Sequence, residues 1–428
     1  MKRIVICCDG TWNELDYRER PTTNVVKMAQ SICLSDDAGG APVEQIVFYD
    51  EGVGTLEGER IDGGGFGDGL NQNVIDAYTF LVFNYNPGDE IFIFGFSRGA
   101  YTARSLVGMI RNSGVVRREL APYIPQAFDL YADEKLHPDS AACWSFRDKT
   151  GYDGWWVSRT RLPDGSYNSE PSGFDRHKQH TVAYLGVWDT VGSLGVPGVF
   201  NAVAGRRENA GFHDLILTSI VERARHAVAI DERRRVFSPS LWKREKLDLL
   251  NGGFDEADGD RYQQKWFPGD HGSVGGGGDL TGLSDQALQW VAEGASLNGA
   301  SLAYDKQFSN VNHTVRGKNK RGKEIAKEIR FQPDGQAPLQ NISDDYRREH
   351  IGAFGRLMNF AMGAAVSDRL ALLQDLEDVS PEARSYRGFE GENQDYVREL
   401  RERLRAYTRF RRSDINNAFP GISEPDDD

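Results

Sequence analysis

Residues 90–110 read EIFIFGFSRGAYTARSLVGMI and contain three structural signals in a row. Residues 90–94 form a near-continuous apolar run, which is typical of a β-strand covered on both faces. Residues 95–99 follow as GFSRG, and glycines on both sides of a serine permit a sharp, strained turn. Residues 100–110 are rich in small and helix-forming residues. Strand, serine and helix in this order predict that Ser97 sits on a tight turn with its hydroxyl exposed as a nucleophile.

The segments around this stretch alternate between strand and helix patterns. Short apolar or β-branched runs indicate strands, and longer periodic segments indicate helices. The predicted strands are 2–8, 45–49, 90–94, 181–188 and 262–267, and the predicted helices are 72–84, 100–110 and 213–230. Parallel strands separated by helices imply a doubly wound, mostly parallel sheet. The predicted fold class is therefore α/β, of the α/β-hydrolase-like kind, with inserted loops.

The length of the chain predicts one large domain with appendages. A chain of 428 residues is long for one compact domain, but α/β enzymes with insertions reach this length around a single sheet. We expect a catalytic domain over residues 1–315, with an insertion at about 137–178 where tryptophan, proline and glycine break the pattern. Residues 316–428 turn charged, and we expect a mainly helical C-terminal region that packs on the catalytic domain or follows it.

The composition argues against several classes of protein. A hydrophobic fraction of 39% is enough to fill a folded core, and a net charge of −13 argues against nucleic acid as a partner. No apolar run approaches the roughly 18 residues of a transmembrane helix, and the apolar start at residues 4–8 is too short for a signal-peptide core. We expect a protein that is cytoplasmic in the producing cell and that any export uses a route without a signal peptide.

The residues that usually bind metals are poorly placed to do so. The four cysteines lack the paired CxxC spacing of a zinc site, and His177 and His180 form an isolated HxxH pattern. We therefore expect no metal, and the serine chemistry requires no organic cofactor.

A serine nucleophile needs a base, and the base needs a carboxylate that orients it. In α/β-hydrolases the chain order is serine, acid, histidine. Asp189 directly follows the predicted strand 181–188, where parallel sheets collect active-site residues, and is the candidate acid. His271 lies in a glycine-rich loop after strand 262–267 and is the candidate base. His226 competes with it, but an apolar, helix-like neighbourhood favours a structural role for that residue.

Donors for the oxyanion usually come from the residue after the nucleophile and from a loop after another strand. Arg98, Gly10 and Thr11 fit those two places. We expect Asp9 to hold the second loop through contacts with backbone amides, and Trp12 to line the substrate slot. Residues 196–211 are the best candidate for an acyl-contacting lid, although an ordinary surface loop fits their pattern as well.

The start of the chain also suggests a competing class of enzyme. Residues 4–11 read IVICCDGT and are similar to the strand-DxDGT start of aspartate-nucleophile phosphatases of the haloacid dehalogenase kind. The covalent aspartate of that class would fall at Cys7, so the phosphatase interpretation has no nucleophile. A third interpretation is a fold used only for binding, in which the triad has decayed. The presence of Ser97, Asp189 and His271 in the required order argues against it.

Six motifs in a fixed order carry a family resemblance. They are CDGTWN (8–13), TNV (23–25), YDEGVGT (49–55), GFSRGAYTAR (95–104), GVWDTV (186–191) and PGDHGSVGGG (268–277). Over about residues 1–300 the chain resembles the α/β-hydrolase domain of type VI secretion phospholipase effectors (type VI lipase effectors) and their uncharacterised relatives. The resemblance implies a triad of Ser97, Asp189 and His271 acting on acyl esters or phospholipids. Asp270 departs from the family pattern, which more often has an apolar residue there, and offers an alternative orienting acid.

The residues and the resemblance together predict a serine carboxylester hydrolase, of the phospholipase or lipase type, working through a Ser-His-Asp triad and an acyl-enzyme. Two alternatives stay open: an esterase acting on a soluble, non-lipid ester, and a non-catalytic binding protein of the same fold. The expected partners are a lipid or other acyl-ester substrate and, through peripheral contact, a membrane surface. The resemblance also leaves room for an immunity or secretion partner.

Overall fold

The computed structural model of the chain describes most, but not all, of the sequence. The described residues are 1–10, 22–37, 40–52, 65–133, 135–152, 182–192, 217–234, 237–252, 261–278, 280–297, 301–318, 323–339, 368–386, 396–407 and 409–419. Thr11, Trp12, the greater part of the predicted insertion and the predicted lid at 196–211 lie outside them.

A mostly parallel sheet forms the centre of the described residues. The strands are β1 (Arg3–Cys8), β2 (Ser35–Asp36), β3 (Val43–Asp50), β4 (Glu90–Phe96), β5 (Val182–Trp188), β6 (Ala224–Ala229), β7 (Tyr262–Phe267), β8 (His313–Lys318) and β9 (Glu324–Ile329). Strands β1 to β7 form one sheet in the order β2-β3-β1-β4-β5-β6-β7. Neighbours in this sheet pair parallel, apart from β2 with β3, and β8 and β9 form a separate antiparallel pair.

Helices follow most of the parallel strands. They are α1 (Asn24–Ser31), α2 (Gly65–Asn84), α3 (Ser97–Ser113), α4 (Ile124–Ala132), α5 (Ala141–Thr150), α6 (Arg244–Asn251), α7 (His271–Gly275), α8 (Gly282–Gly294), α9 (Pro381–Ser385), α10 (Tyr396–Arg405) and α11 (Arg412–Ala418). Within the described ranges, none of these helices is both long and apolar enough to cross a membrane.

The alternation of side chains along the central strand divides the core into two layers. Ile4 and Ile6 of β1 pack with residues of α2 and α3, whereas Val5 and Cys7 pack with residues of α1 and α8. All four side chains are fully buried. Successive strand residues point to opposite faces, so a continuous apolar run is stable only when helices cover both faces. The predicted α/β class, with a doubly wound, mostly parallel sheet, is confirmed.

A third apolar cluster joins the C-terminal region to the edge strand β7. Trp266 of β7 packs with Val379, Leu400 and other residues of the chain after position 368. Trp266 also forms a parallel bridge with Val379, and its carbonyl accepts from the Ser380 amide at 2.9 Å. Residues 368–386 are therefore bound to β7, the strand that precedes His271.

One prediction about secondary structure is wrong over the residues that the structure describes. The predicted helix at 213–230 contains the strand β6, which lies between β5 and β7 and is covered on both faces. Short apolar segments of this kind fit a buried strand and a buried helix equally well, so periodicity could not separate them. The C-terminal region predicted from residue 316 begins inside the pair β8 and β9, and its later described elements are helices and 3₁₀ turns. The division of the chain at residue 315 stays a prediction, although it falls within β8.

Candidate active site

Ser97 lies on the turn between β4 and α3, where the backbone bends sharply. Its φ is 59°, in the left-handed region that residues other than glycine rarely adopt. A Cβ on Gly95 would lie 2.6 Å from the Gly99 carbonyl oxygen, and a Cβ on Gly99 would overlap the carbonyl oxygen of Cys8. Both glycines are therefore required by close backbone contacts. Strain of this kind at a serine is characteristic of nucleophile turns.

The three candidate triad residues meet at the carboxyl ends of the strands. Ser97 follows β4 and Asp189 follows its neighbour β5, in a register that places Phe96 opposite Trp188. His271 begins α7, just after β7. His271 Nε2 lies 2.8 Å from Ser97 Oγ, and His271 Nδ1 lies 2.5 Å from Asp189 Oδ2. All three residues are buried and form one hydrogen-bonded chain.

Asp189 is a fully buried carboxylate with donors on both oxygens. Oδ1 accepts from the Ala229 amide at 2.9 Å and from Arg369 Nη1 at 2.6 Å. Oδ2 accepts from His271 Nδ1 and, at 3.1 Å, from Arg369 Nη2. Burial alone would raise the pKa of Asp189, but the charge of Arg369 and the hydrogen bond from His271 hold it well below its usual range. Asp189 is consequently ionised at neutral pH.

The ionised state of Asp189 decides which proton His271 carries. A carboxylate only accepts hydrogen bonds, so the proton of a neutral His271 ring must lie on Nδ1. Nε2 is then left with its lone pair, which accepts the hydroxyl proton of Ser97. This is the arrangement that a general base requires before it removes a proton from serine.

The ring of His271 is enclosed by other side chains. Its centroid lies 4.6 Å from that of Phe96 and 4.7 Å from that of Phe237. The His271 amide donates to Glu232 Oε2 at 3.3 Å. Glu232 is itself buried and bonded to Arg234, and although burial opposes ionisation, these bonds lower its pKa. Ring contacts and a fixed backbone limit the orientations open to the imidazole.

Asp270, the alternative orienting acid, serves as the N-cap of α7. Its Oδ1 accepts from the Ser273 amide at 3.0 Å and from the Ser273 hydroxyl at 2.9 Å. Burial raises the pKa of Asp270. Among the hydrogen bonds of the described residues, the carboxylate partner of the His271 ring is Asp189. The geometry thus favours Asp189 as the acid.

Asp9 lies at the end of β1 and binds the loop that follows it. Its carboxylate accepts from the Gly10 amide at 2.6 Å, from Thr23 Oγ1 at 2.5 Å and from the Tyr49 hydroxyl at 2.9 Å. Burial, and then the charge of Asp9, raise the pKa of Tyr49, so this phenol stays protonated and donates. The Gly10 amide, expected as an oxyanion donor, is engaged by Asp9 here. Asp9 has the loop-holding contacts that the sequence predicted.

Of the remaining candidates for the oxyanion and substrate sites, the structure describes Arg98 but not Thr11 or Trp12. Arg98 is the second residue of α3, at the positive end of the helix dipole. Burial lowers the pKa of its guanidinium to about 10. Thr11 and Trp12 lie outside the described residues, so their expected roles stay predictions.

His226, the competing histidine, lies in β6 and is fully buried. Its Nε2 accepts from the Thr190 amide at 3.2 Å, and its Nδ1 lies 3.0 Å from Gln264 Oε1. Burial, the largest cause, lowers the pKa of His226 to about 3, so the ring is neutral. It supports the backbone next to Asp189, a structural role like the one expected from the sequence.

Arg369 and Glu232 were missed by the sequence analysis. Arg369 lies 180 positions after Asp189, in a region whose charged composition carries no specific motif. One arginine among 51 basic residues gives no local signal of its partner. Glu232 follows β6, which was interpreted as helix, so its place at the active-site edge of the sheet was not recognised. A correct strand assignment there would have placed it among the candidates.

The site contains hydrogen-bond donors and a nucleophile rather than a set of metal ligands. Within the described part of the chain, no three or more histidine, cysteine, aspartate or glutamate side chains are grouped so that they could hold a metal ion. His177 and His180 lie outside that part.

Comparisons with known proteins found similarity to a yeast protein and to two solved structures. The chain is 28% identical over 251 residues to the uncharacterized protein YEL023C of Saccharomyces cerevisiae, covering 55% of this chain and 32% of that protein. A Tle1 effector bound to the VgrG spike of the type VI secretion system is 19% identical, with a TM-score of 0.34, over 65% of this chain and 51% of that one. An uncharacterized protein from Pseudomonas aeruginosa is 15% identical, with a TM-score of 0.38, over 99% of this chain and 60% of that one.

The chain therefore spans about a third of the length of the yeast relative and between half and three-fifths of these two solved structures. The profile of a family described as the catalytic domain of Tle1-like phospholipase effectors of the type VI secretion system matches residues 2–294. These residues contain Ser97, Asp189 and His271, as well as the whole seven-stranded sheet. With more than half of its length matched, this chain belongs to the Tle1-like phospholipase effector family.

Proposed function

We propose that this chain is a serine carboxylester hydrolase that cleaves an acyl ester of a glycerophospholipid, or of a related lipid, through an acyl-enzyme. The observation that carries the proposal is the position of His271. One ring nitrogen lies 2.8 Å from Ser97 Oγ and the other 2.5 Å from Asp189 Oδ2. A strained serine, a base and a buried acid at these distances suit acyl transfer.

The proposed reaction has two halves. In the first, His271 Nε2 takes the proton of Ser97 as its oxygen attacks the ester carbonyl carbon. The tetrahedral intermediate then expels the alcohol, which leaves with the proton held by His271. In the second, His271 removes a proton from water, whose oxygen attacks the acyl carbon; the bond to Ser97 Oγ then breaks, the proton on His271 returns to Ser97, and the fatty acid is released. Asp189 stabilises the imidazolium in both halves, and no cofactor is needed.

The oxyanion would be bound at the start of α3. The Arg98 amide follows the nucleophile, and the positive end of the helix dipole favours negative charge there. A second donor is expected from the loop after β1. Thr11 is the stronger candidate, since the Gly10 amide donates to Asp9. Recruitment of Gly10 would require that bond to break.

The lipid part of the proposal comes from the family, which is one of phospholipase effectors. Peripheral contact with a membrane surface follows from a lipid substrate, and the route expected is export by the type VI machinery. The Tle1 effector among the solved structures is bound to a VgrG spike. We include in the proposal that this chain binds a spike protein of the secretion system. We also include an immunity protein that binds the chain in the producing cell.

The decisive experiment compares lipid and soluble esters. The full chain is incubated with phosphatidylethanolamine vesicles and, separately, with a nitrophenyl butyrate solution, and the products are identified by mass. We expect lysophospholipid and free fatty acid from the wild type and no product from Ser97→Ala. Ser105→Ala is the matched control, because Ser105 is a buried serine about two turns further along α3.

Each outcome of this experiment decides between the candidate functions. Hydrolysis of nitrophenyl butyrate without hydrolysis of lipid would refute the phospholipase part and leave a soluble-ester esterase. Equal turnover by the wild type and Ser97→Ala would overturn the serine mechanism. No turnover of either ester by the wild type, with no labelling of Ser97 by a fluorophosphonate, would favour the non-catalytic interpretation.

A further inference from the structure

Arg369 occupies an unusual position for a residue of the C-terminal region. It begins a short 3₁₀ turn (Arg369–Leu372) and is 2% exposed. Its guanidinium donates to both oxygens of Asp189, at 2.6 and 3.1 Å. It also donates to the carbonyl oxygen of Ala229 at 2.9 Å and to that of Phe237. The residue lies beyond residues 2–294, over which the family's catalytic domain matches.

The contacts of Arg369 offset the cost of burying the ionised Asp189 carboxylate. A buried carboxylate without a counter-charge takes up a proton, because an ion loses its hydration in the interior. A protonated Asp189 would no longer hold the Nδ1 proton of His271 firmly. The bidentate arginine supplies both the counter-charge and a fixed plane for the carboxylate. Arg369 thus binds both oxygens of Asp189, including Oδ2, which accepts the hydrogen bond of His271 on which the base depends.

The same region also braces the loop that carries the base. Asp231 Oδ2 accepts from the Gly269 amide at 2.8 Å, two residues before His271. Tyr396 and Arg403 of α10 bond to the two oxygens of Asp231, at 2.8 and 2.9 Å. The C-terminal region is therefore bonded to the acid and to the loop of the base.

Arg403 connects these two attachments. It also donates to Asp368 at 2.7 Å, the residue directly before Arg369. The Asp368 carboxylate caps the turn by accepting from the Leu370 amide at 3.0 Å. Movement of α10 would consequently displace both Arg369 and the loop before His271.

We propose that Arg369 is a positioning residue of the active site, which keeps Asp189 ionised and oriented toward His271, so that the C-terminal region completes the catalytic machinery. This inference rests on the proposed function. Arg369 does not act on substrate, since its donors are committed to Asp189 and to backbone carbonyls. Its loss should therefore lower kcat and leave KM nearly unchanged.

The test uses full-length variants of two buried arginines. Arg369→Met removes the charge and keeps much of the volume, and Arg369→Lys keeps the charge but cannot form the bidentate contact. The matched control is Arg401→Met. Arg401 is 4% exposed, lies in the same C-terminal region and donates to Asn416 Oδ1 at 2.6 Å.

Three readouts separate positioning from a general loss of structure. We expect kcat to fall about tenfold to a hundredfold in Arg369→Met, with KM within about twofold of the wild type. The rate of fluorophosphonate labelling at Ser97 should fall in parallel. The acid-side midpoint of kcat/KM should move to higher pH, because the bonded pair of Asp189 and His271 takes up a proton more readily once the positive charge beside it has gone. The values for Arg369→Lys should lie between those of the wild type and Arg369→Met, and Arg401→Met should match the wild type in all three readouts.

The inference is overturned if a folded Arg369→Met matches the wild type in kcat and labelling, or if Arg401→Met shows the same losses. If Arg369→Met does not fold, Arg369→Lys decides: a lower kcat at unchanged KM supports positioning, and a kcat within about twofold of the wild type refutes it. Absence of labelling in the wild type itself would refute the proposed function, and the inference with it. Labelling in the wild type with no change in the variants would refute the inference alone.

Discussion

Replacing Asp189 with asparagine would test the assignment of the acid most directly. The carboxylate accepts four hydrogen bonds, from His271, from Ala229 and two from Arg369. Asparagine has a single acceptor oxygen, so its NH₂ group must face donors whichever way it turns. If the NH₂ group faces His271, the ring must adopt the other tautomer. Nε2 then carries the proton and cannot accept one from Ser97.

The expected loss follows from this change of tautomer. A triad whose histidine is held in the wrong tautomer loses about 10⁴ in kcat. At about 1.4 kcal/mol for each tenfold change, the barrier rises by about 5 kcal/mol. Arg369 would also lose its carboxylate partner while remaining buried. A buried charge left without its partner costs about 3–5 kcal/mol of folding free energy. Asp189→Asn should thus be both less active and less stable than the wild type.

The assay must keep these two effects apart. Turnover of a nitrophenyl ester is measured at a temperature well below unfolding and divided by the folded fraction, which is obtained from urea unfolding of the same preparation. Adding Arg369→Met to Asp189→Asn should recover part of the stability, because the unpaired charge is removed, without recovering kcat. Recovery of both would show that the loss of activity came from unfolding.

Asp270→Asn is the matched control for this prediction. Asparagine caps a helix about as well as aspartate, so the contacts with the Ser273 amide should persist. We expect kcat of Asp270→Asn to stay within about threefold of the wild type. A kcat of Asp189→Asn above about a tenth of the wild-type value, or a larger loss in Asp270→Asn, would refute the assignment of Asp189 as the orienting acid.

Two further predictions concern stability. His226 has a pKa of about 3 in the folded protein against an ordinary value of 6.5, so between these values the unfolded chain binds a proton that the folded chain does not. Between about pH 6.5 and 3, His226 should lower the free energy of unfolding by about 1.4 kcal/mol for each pH unit, and urea unfolding of His226→Gln should lack this contribution to the slope; equal slopes in the two proteins would contradict it. Lys27 and Asp285 form a fully buried ion pair. Lys27→Met should cost about 3–5 kcal/mol, and Lys27→Met with Asp285→Asn clearly less; equal losses would show that the pair is not coupled.

The sequence predicted the elements next to Ser97 because their signals are local. The runs before Ser97 and Asp189 are short and almost entirely apolar, which is typical of a strand covered on both faces. Strand β4 and helix α3 lie where they were expected, and the structure extends them by a few residues. The glycines around Ser97 were informative because a Cβ at either position would meet backbone atoms.

Strand β6 is an element whose local sequence pattern does not distinguish a strand from a helix. Its sequence, ARHAVA, has the small residues of a helix and the burial of a strand. The choice between the two is made by neighbours: β5 and β7 supply hydrogen-bonding partners along both edges of β6. Neither neighbour is adjacent in the sequence, so periodicity within the segment contains no information about them. The same limit hid Glu232, which follows this strand.

Arg369 was beyond sequence reasoning for a related reason. An arginine is recognised as functional only through the group that it contacts, and here that group lies 180 positions earlier in the chain. The contact exists because residues 368–386 pack on the edge strand β7 through Trp266 and Val379. Those apolar contacts are long-range, and a charged, weakly periodic region gives no sign of them. The three candidate triad residues lie in sequence motifs, whereas Arg369, the proposed positioning residue, does not.

Asp9 and Asp189 show why the order of the strands, rather than residue type, selects the acid. Each aspartate directly follows a buried strand, and each is fully buried. In the sheet, β4 lies between β1 and β5, and β7 lies on the β5 side. A histidine that arrives from β7 reaches Asp189 and Ser97 together, whereas Asp9 lies beyond the serine. Asp9 instead binds the Gly10 amide and the Tyr49 hydroxyl, and the aspartate on the β7 side of the serine is the one placed to act as the proposed orienting acid.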